Sequence, residues 1–128
     1  MKLLLDTNLL LWAAAAPERL SPRAVARLEA PGDRLVFSAA SLWEVAIKAG
    51  LGRSDFTVDP RRLRQGLIDN GYEELAVTGA HAAALVDLPS IHKDPFDRIL
   101  IAQAKVEDLC FLTVDSTLAS YGAPVKVV

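Results

Sequence analysis

Short apolar runs alternate along this chain with stretches whose apolar residues recur at helical spacing, and the alternation predicts strands interleaved with helices. Residues 2–6 carry Leu3-Leu4-Leu5 and read as a first strand. A helix follows from Leu9 to Ala15 and is stopped by Pro17. Ser21-Pro22 restarts a helix over 22–30, with serine at the cap, proline in the first turn, and Ala24, Val25 and Leu28 at helical spacing. Pro31-Gly32 ends it, and Leu35-Val36-Phe37 is the second strand. Ser38 or Ser41 caps the next helix, which carries Trp43, Glu44 and Ile47 and closes at Gly50 and Gly52.

Asp59-Pro60 opens a helix over 60–69 with Leu63, Leu67 and Ile68 on its apolar face, ended by Asn70-Gly71. Residues 74–77 form a third strand and 80–87 a small helix. After a loop, Asp94-Pro95 caps a helix that runs to about Val106, with Phe96, Ile99 and Leu100 on its apolar side. Residues 110–114 are the fourth strand and 125–128 a fifth. Strands that are apolar throughout, alternating with helices, imply an α/β fold with a parallel sheet covered on both faces. Ligands of such sheets bind at the carboxyl ends of the strands.

With 128 residues, no repeat and no linker, residues 1–128 read as a single domain large enough for its own core. Apolar residues make up 52% and charged ones 23%, which excludes a disordered chain. The longest apolar stretch, Leu9 to Ala16, is too short to span a bilayer, and no signal-peptide pattern opens the chain, so no membrane contact is expected and the location is cytoplasmic. A lone Cys110 permits no internal disulfide and, inside a strand, reads as a buried inert thiol. The net charge of −2 lacks a general nucleic-acid signature. Arg61, Arg62 and Arg64 form the one dense basic cluster and read as a solvated helix face.

Acidic residues change this picture. Asp6 ends the first apolar run, Glu44 lies within Ser41-Leu42-Trp43-Glu44-Val45-Ala46-Ile47, Asp97 precedes Ile99-Leu100-Ile101-Ala102, and Asp115 ends Phe111-Leu112-Thr113-Val114. Ionised carboxylates among apolar groups need positive compensation, and carboxylates converging from distant segments suit a hard divalent cation. Each has a structural alternative. Asp6 and Asp115 suit helix-cap and turn positions, Glu44 can pair with Lys48 one turn on, and Asp97 stands where an acid favours the helix dipole. Asp94 is best explained as the cap before Pro95. Together, at ends of elements that should meet along one sheet edge, the four point to one site. Thr7, Asn8, Ser38, Thr113 and Ser116 are candidates to orient the carboxylates. His81 and His92 are too few for a nucleophile triad, and His92-Lys93 suits a surface loop. Trp12 and Trp43 read as core residues.

The segments Leu5-Asp6-Thr7-Asn8, Ser41-Leu42-Trp43-Glu44-Val45-Ala46-Ile47-Lys48, His92-Lys93-Asp94-Pro95-Phe96-Asp97-Arg98 and Leu112-Thr113-Val114-Asp115 resemble, in order and spacing, the PIN-domain family and within it the VapC-type toxins of bacterial toxin–antitoxin pairs. The resemblance implies a three-layer α/β/α sandwich with a mostly parallel central sheet. It implies an endoribonuclease dependent on Mg²⁺ or Mn²⁺ that cuts structured RNA such as tRNA, forms a homodimer and is inhibited by a small cognate antitoxin. The family's acidic quartet maps onto Asp6, Glu44, Asp97 and Asp115 as catalytic and metal-binding residues, with Lys48 and Arg98 in the same motifs as candidates to meet substrate. Helices 22–30 and 60–69 carry apolar stripes that could form a groove for a partner helix, although packing on their own sheet is expected to take up most of their area. Two rival readings remain. A PIN-like binding module without activity would be expected to lack one of the acids. A magnesium-dependent phosphatase or phosphotransferase needs an Asp-x-Asp start, whereas Asp6-Thr7-Asn8 has no second acid, although Lys126 is present late in the chain.

Overall fold

Among the described residues five short strands, β1 (Lys2–Leu5), β2 (Arg34–Ser38), β3 (Glu73–Leu75), β4 (Cys110–Thr113) and β5 (Val125–Val127), pair in the order β3-β2-β1-β4-β5, every pair parallel. The structure, a computed structural model, describes residues 1–91 and 93–128; the sequence expectation for His92 lies outside the described residues. Leu3 to Leu5 are wholly buried at the centre of the sheet, so each removes its side chain from water on either face, worth about 2 kcal/mol apiece. The chain winds outward from β1 to β3, then crosses back to lay β4 on the other side of β1. The carboxyl ends of β1 and β4 therefore flank the point where the winding reverses, the crevice in which open parallel sheets receive ligands.

Helices α1 (Thr7–Ala15), α2 (Pro22–Leu28), α3 (Ala39–Gly50), α4 (Pro60–Asp69), α5 (Gly79–Ala83) and α6 (Pro95–Glu107) cover the two faces. Alternate strand residues serve opposite cores. Leu3, Leu5, Phe37 and Leu112 pack with Leu9, Leu10, Ala24, Leu63 and Leu67 on one face. On the other, Leu4, Val36 and Phe111 pack with Leu100, Ile101, Ala104 and Leu118. The three-layer arrangement expected above is thus observed. Helix α3 contributes Ala40 to one core and Val45 to the other.

The element boundaries depart from expectation where a cap or a register decides them. Asp6 leaves the first strand to cap α1, its side chain accepting from Leu9 N–H, so α1 begins at Thr7. Strand β3 ends at Leu75 because its register with β2 runs only from Val36–Glu73 to Ser38–Leu75. The helix expected over 80–87 is α5 followed by a 3₁₀ turn at Ala84–Asp87, and a 3₁₀ helix at Ser116–Tyr121, not foreseen, follows β4. Two further expectations are corrected. Trp43 is 63% exposed, its ring edge-on to Phe96 at 5.2 Å, so it is no core residue. Cys110 opens β4 at the margin of the core and is only half-buried. Trp12 is half-buried under the Arg19 guanidinium, 4.5 Å from its ring centre. Arg61, Arg62 and Arg64 are exposed, as a solvated helix face requires, and Arg64 pairs with Glu74. Among the described residues, no helix is long and apolar enough to cross a membrane.

Candidate active site

At the carboxyl ends of β1 and β4 a cavity of about 270 Å³ is lined by Asp6, Thr7, Asn8, Glu44, Lys48, Asp94, Asp97 and Asp115. All four acids singled out in the sequence line it, together with Asp94 and, among the described residues, a single basic one, Lys48. Two come from strand ends and two from helices, as the parallel topology dictates. Thr113, the last residue of β4, joins the strand pair. Its buried hydroxyl donates to Asp6 Oδ2 and accepts from Asp115 N–H at 3.0 Å. Asp6 also accepts from Leu9 N–H at 2.7 Å through Oδ1 and from Val114 N–H at 3.3 Å through Oδ2. Asp115 caps the 3₁₀ helix after β4, with Oδ1 accepting from Thr117 N–H at 2.9 Å and Thr117 Oγ1 at 2.6 Å.

The other two acids ride on helices. Glu44 of α3 meets Lys48 one turn on, 3.1 Å from its Oε2, so the structural alternative for this residue is realised inside the cavity rather than in place of it. Asp97 lies in the first turn of α6, whose cap is Asp94 with Oδ1 accepting from Phe96 N–H at 2.9 Å. Asp94 therefore caps the helix and also faces the cavity, which the sequence reading had divided between two residues. The hydroxyl of Thr7 donates to Ser41 Oγ at 2.9 Å, tying α1 to α3 beneath the site. Ser116 and Arg98 do not line the cavity. Arg98 turns away instead, donating to Pro89 O at 2.8 Å and Tyr121 OH at 3.2 Å. Ser38 caps α3 and bonds to Gln103, away from the carboxylates.

Crowding shows in the proton affinities. Burial, reinforced by Asp94, Asp6, Glu44 and Asp115, pushes the Asp97 carboxyl up to about 7. Burial also raises Asp6, against the opposing hydrogen bonds from Thr113, Leu9 and Val114. A carboxyl group that binds its proton more tightly folded than unfolded stabilises the fold below its unfolded value, and that stability is lost as pH rises through the folded value. For Asp97 the window runs from about 4 to about 7. A sealed group would lose about 4 kcal/mol across it, but Asp97 is partly open to water and screening reduces the figure to about 1–2 kcal/mol. Metal-free protein should therefore melt lower at pH 8 than at pH 5.5. Glu74 and Asp55, held low by Arg64 and Arg53, act in the opposite sense only at more acid pH. A thermal midpoint that is flat or rises between pH 5.5 and 8 would contradict the crowding of these carboxylates.

Among the described residues, no three His, Cys, Asp or Glu side chains already stand in metal-ligating geometry. The donor chemistry nonetheless fits a hard divalent cation. It is all oxygen, it is drawn from several elements around one cavity, and its mutual repulsion is the kind that bound positive charge relieves.

The PIN domain family profile matches residues 3–124. The chain is 32% identical over 122 residues to Ribonuclease VapC22 of Mycobacterium tuberculosis, spanning 94% of this chain and 92% of that protein. Its fold is shared with chains in solved complexes: VapBC2 from Rickettsia felis bound to a promoter DNA fragment (TM-score 0.71, 13% identity, 100% of this chain and 98% of that one), a toxin–antitoxin complex from Klebsiella pneumoniae (0.66, 22%, 97% and 95%), and FitAcB from Neisseria gonorrhoeae (0.63, 23%, 96% and 95%).

Proposed function

The chain belongs to the PIN domain family, and from that membership and its acidic cavity we propose that it is a metal-dependent endoribonuclease, the toxin of a toxin–antitoxin pair. The observation that carries this reading is the convergence of Asp6, Glu44, Asp97 and Asp115, from four separate segments, on one cavity. The likeness to a relative named a ribonuclease supports hydrolysis of RNA phosphodiester bonds, with tRNA or another structured RNA as substrate. Neither rival reading gains support. The acids a silent binding module would be expected to shed are all present, and the Asp-x-Asp start of a phosphotransferase is not.

Asp6, Asp97 and Asp115 would hold Mg²⁺ or Mn²⁺, with Glu44 at a second cation or at the attacking water. A bound cation would neutralise phosphate charge and make water more acidic. Thr113 keeps Asp6 and Asp115 oriented toward the cavity by bonding to both. Glu44, paired with Lys48, accepts the proton of a water that attacks phosphorus as the bond to the 3′ oxygen breaks; that oxygen takes its proton from solvent. Lys48 is also the one cation lining the cavity among the described residues and is placed to meet a phosphate oxygen. Asn8, exposed at the rim, is placed to meet the strand itself.

The toxin–antitoxin complexes among the fold neighbours support a small antitoxin as partner. The groove available to it differs from the sequence expectation. A hollow of about 730 Å³ runs along α4 past Leu63, Gly66 and Leu67, but its other wall is Ala13, Ala14 and Ala15 of α1, not α2. Three alanines on one wall and Gly66 on the other leave room for a helix, and the acidic cavity would receive an arginine from the same partner. We further infer a homodimer, to be checked as a particle of twice the 13.8 kDa chain mass in light scattering, and a single domain acting in the cytoplasm. The whole reading is tested by expression without a partner. Growth should stop, and Asp6→Asn should restore it; arrest that survives this substitution would move the assignment to a binding module.

A further inference from the structure

Asp6 and Asp115 are fixed by two hydrogen-bonded strands and by the Thr113 hydroxyl between them. Glu44 and Asp97 stand instead on helices, α3 and α6. Their separation across the cavity therefore depends on how those helices are set against each other. Most of that contact is apolar and non-directional. One part is not.

Gln103 lies in the apolar face of α6, between Ala102 and Ala104, and is wholly buried. Its Oε1 accepts from Ser38 Oγ at 2.6 Å. The same Ser38 oxygen accepts from Ala40 N–H at 3.0 Å and so caps α3, the helix that carries Glu44. The Gln103 amide nitrogen donates to Ala76 O at 3.3 Å and lies 3.4 Å from His81 Nδ1. That ring nitrogen accepts from Thr78 N–H at 3.0 Å, which puts the proton of a neutral ring on Nε2, where it donates to Glu107 Oε2 at 2.8 Å. The chain of bonds thus runs from the cap of α3, through the middle of α6 and the start of α5, to the far end of α6. Buried polar groups are costly unless paired, and a fully paired set admits only one relative placement of the elements that carry it.

We propose that Gln103 is a positioning residue of the active site: through Ser38 it sets α3 against α6, and so sets Glu44, as a cation ligand, against Asp97 across the cavity. This rests on the reading of the acidic cavity as a cation site. Its test is Mn²⁺ binding by the metal-free full-length protein, measured by calorimetry without any RNA. Outer-shell changes of this kind weaken metal binding about tenfold or more, and Gln103→Met should do so while the chain stays folded by circular dichroism. In a Glu44→Gln background, where the placement of α3 no longer supplies a ligand, the same substitution should weaken binding less than about threefold. Ser38→Gly removes the other half of the bond at little capping cost and should reproduce the effect if Gln103→Met does not fold. Ile101→Val, which thins the core of the same helix without touching the polar set, should bind like the parent. Equal weakening in both backgrounds, or an equal loss in Ile101→Val, would reduce Gln103 to general stability and overturn the proposal. Unchanged affinity in folded Gln103→Met would overturn it too. If the parent protein bound no Mn²⁺, the cation reading itself would fall and the positioning role with it.

Discussion

Asp97→Asn should make the metal-free protein more stable and leave it without ribonuclease activity. Asp97 is the most strongly perturbed acid of the cavity, raised to about 7 by burial first and by four neighbouring carboxylates after it. At pH 8 the folded chain must hold it ionised, at a discounted cost of about 1–2 kcal/mol, and a neutral amide of the same shape removes that cost. The amide keeps an oxygen but lacks the charge that attracts a cation, so cleavage should fall by roughly 10³-fold, a loss of about 4 kcal/mol in transition-state stabilisation. Magnesium should raise the thermal midpoint of the parent at pH 8 and hardly move that of the variant. Denaturant melts and single-turnover cleavage on the same preparations separate the two effects. A variant that loses stability along with activity would mean that Asp97 is a structural residue of α6 and no ligand.

The second large effect belongs to Thr113, which makes no contact with substrate in this account. Thr113→Val removes the hydroxyl that donates to buried Asp6 and accepts from Asp115 N–H. One carboxylate loses a charge-assisted bond and one amide is orphaned, so the expected loss is about 2–3 kcal/mol of unfolding free energy, read from a denaturant melt. Asp6, already raised by burial, would rise further, because its strongest opposing bond is gone. Metal affinity at pH 7 should then weaken. Thr113→Ser, which retains the hydroxyl, should recover most of both losses. Wild-type stability in Thr113→Val would contradict the bridging role.

The first effect describes acids gathered for function at the expense of the metal-free fold, and the second a hydrogen bond that offsets part of that cost. The part of this arrangement that rests on strand ends was legible in the sequence. Asp6 and Asp115 each close an all-apolar run, and parallel strands deliver such residues to one edge. Glu44 and Asp97 were legible for another reason, as acids embedded in helical segments too apolar to be simply solvated. The roles of Asp94 were not separable, because capping and cavity lining use the same side chain and the sequence signal of a cap is complete without the second role. Arg98 was misleading by adjacency. Next to Asp97 in sequence, it is rotated about a helix axis toward Pro89 and Tyr121.

Trp43 failed for a related reason. Apolar type and helical spacing identify a stripe, but not where the stripe meets the edge of its partner. The buried set of Ser38, Gln103 and His81 left one trace, a glutamine in the middle of Leu100-Ile101-Ala102-Gln103-Ala104. Its partners lie far away in sequence, and only the fold brings them together. Expectations built on local periodicity therefore held for the strands and the main helices, and the four acids met as expected, while those for Trp43, Arg98 and Ser38, which turned on one side chain's direction, did not.

The central claim, that four carboxylates gather a cation for RNA hydrolysis, is met most directly by one incubation. Purified protein free of any partner is mixed with total RNA in Mg²⁺, in Mn²⁺ and in EDTA, beside Asp97→Asn. The account predicts discrete fragments that require the metal and vanish with the substitution. Intact RNA under every metal, from protein shown to be folded, or fragments that persist in EDTA, would contradict it.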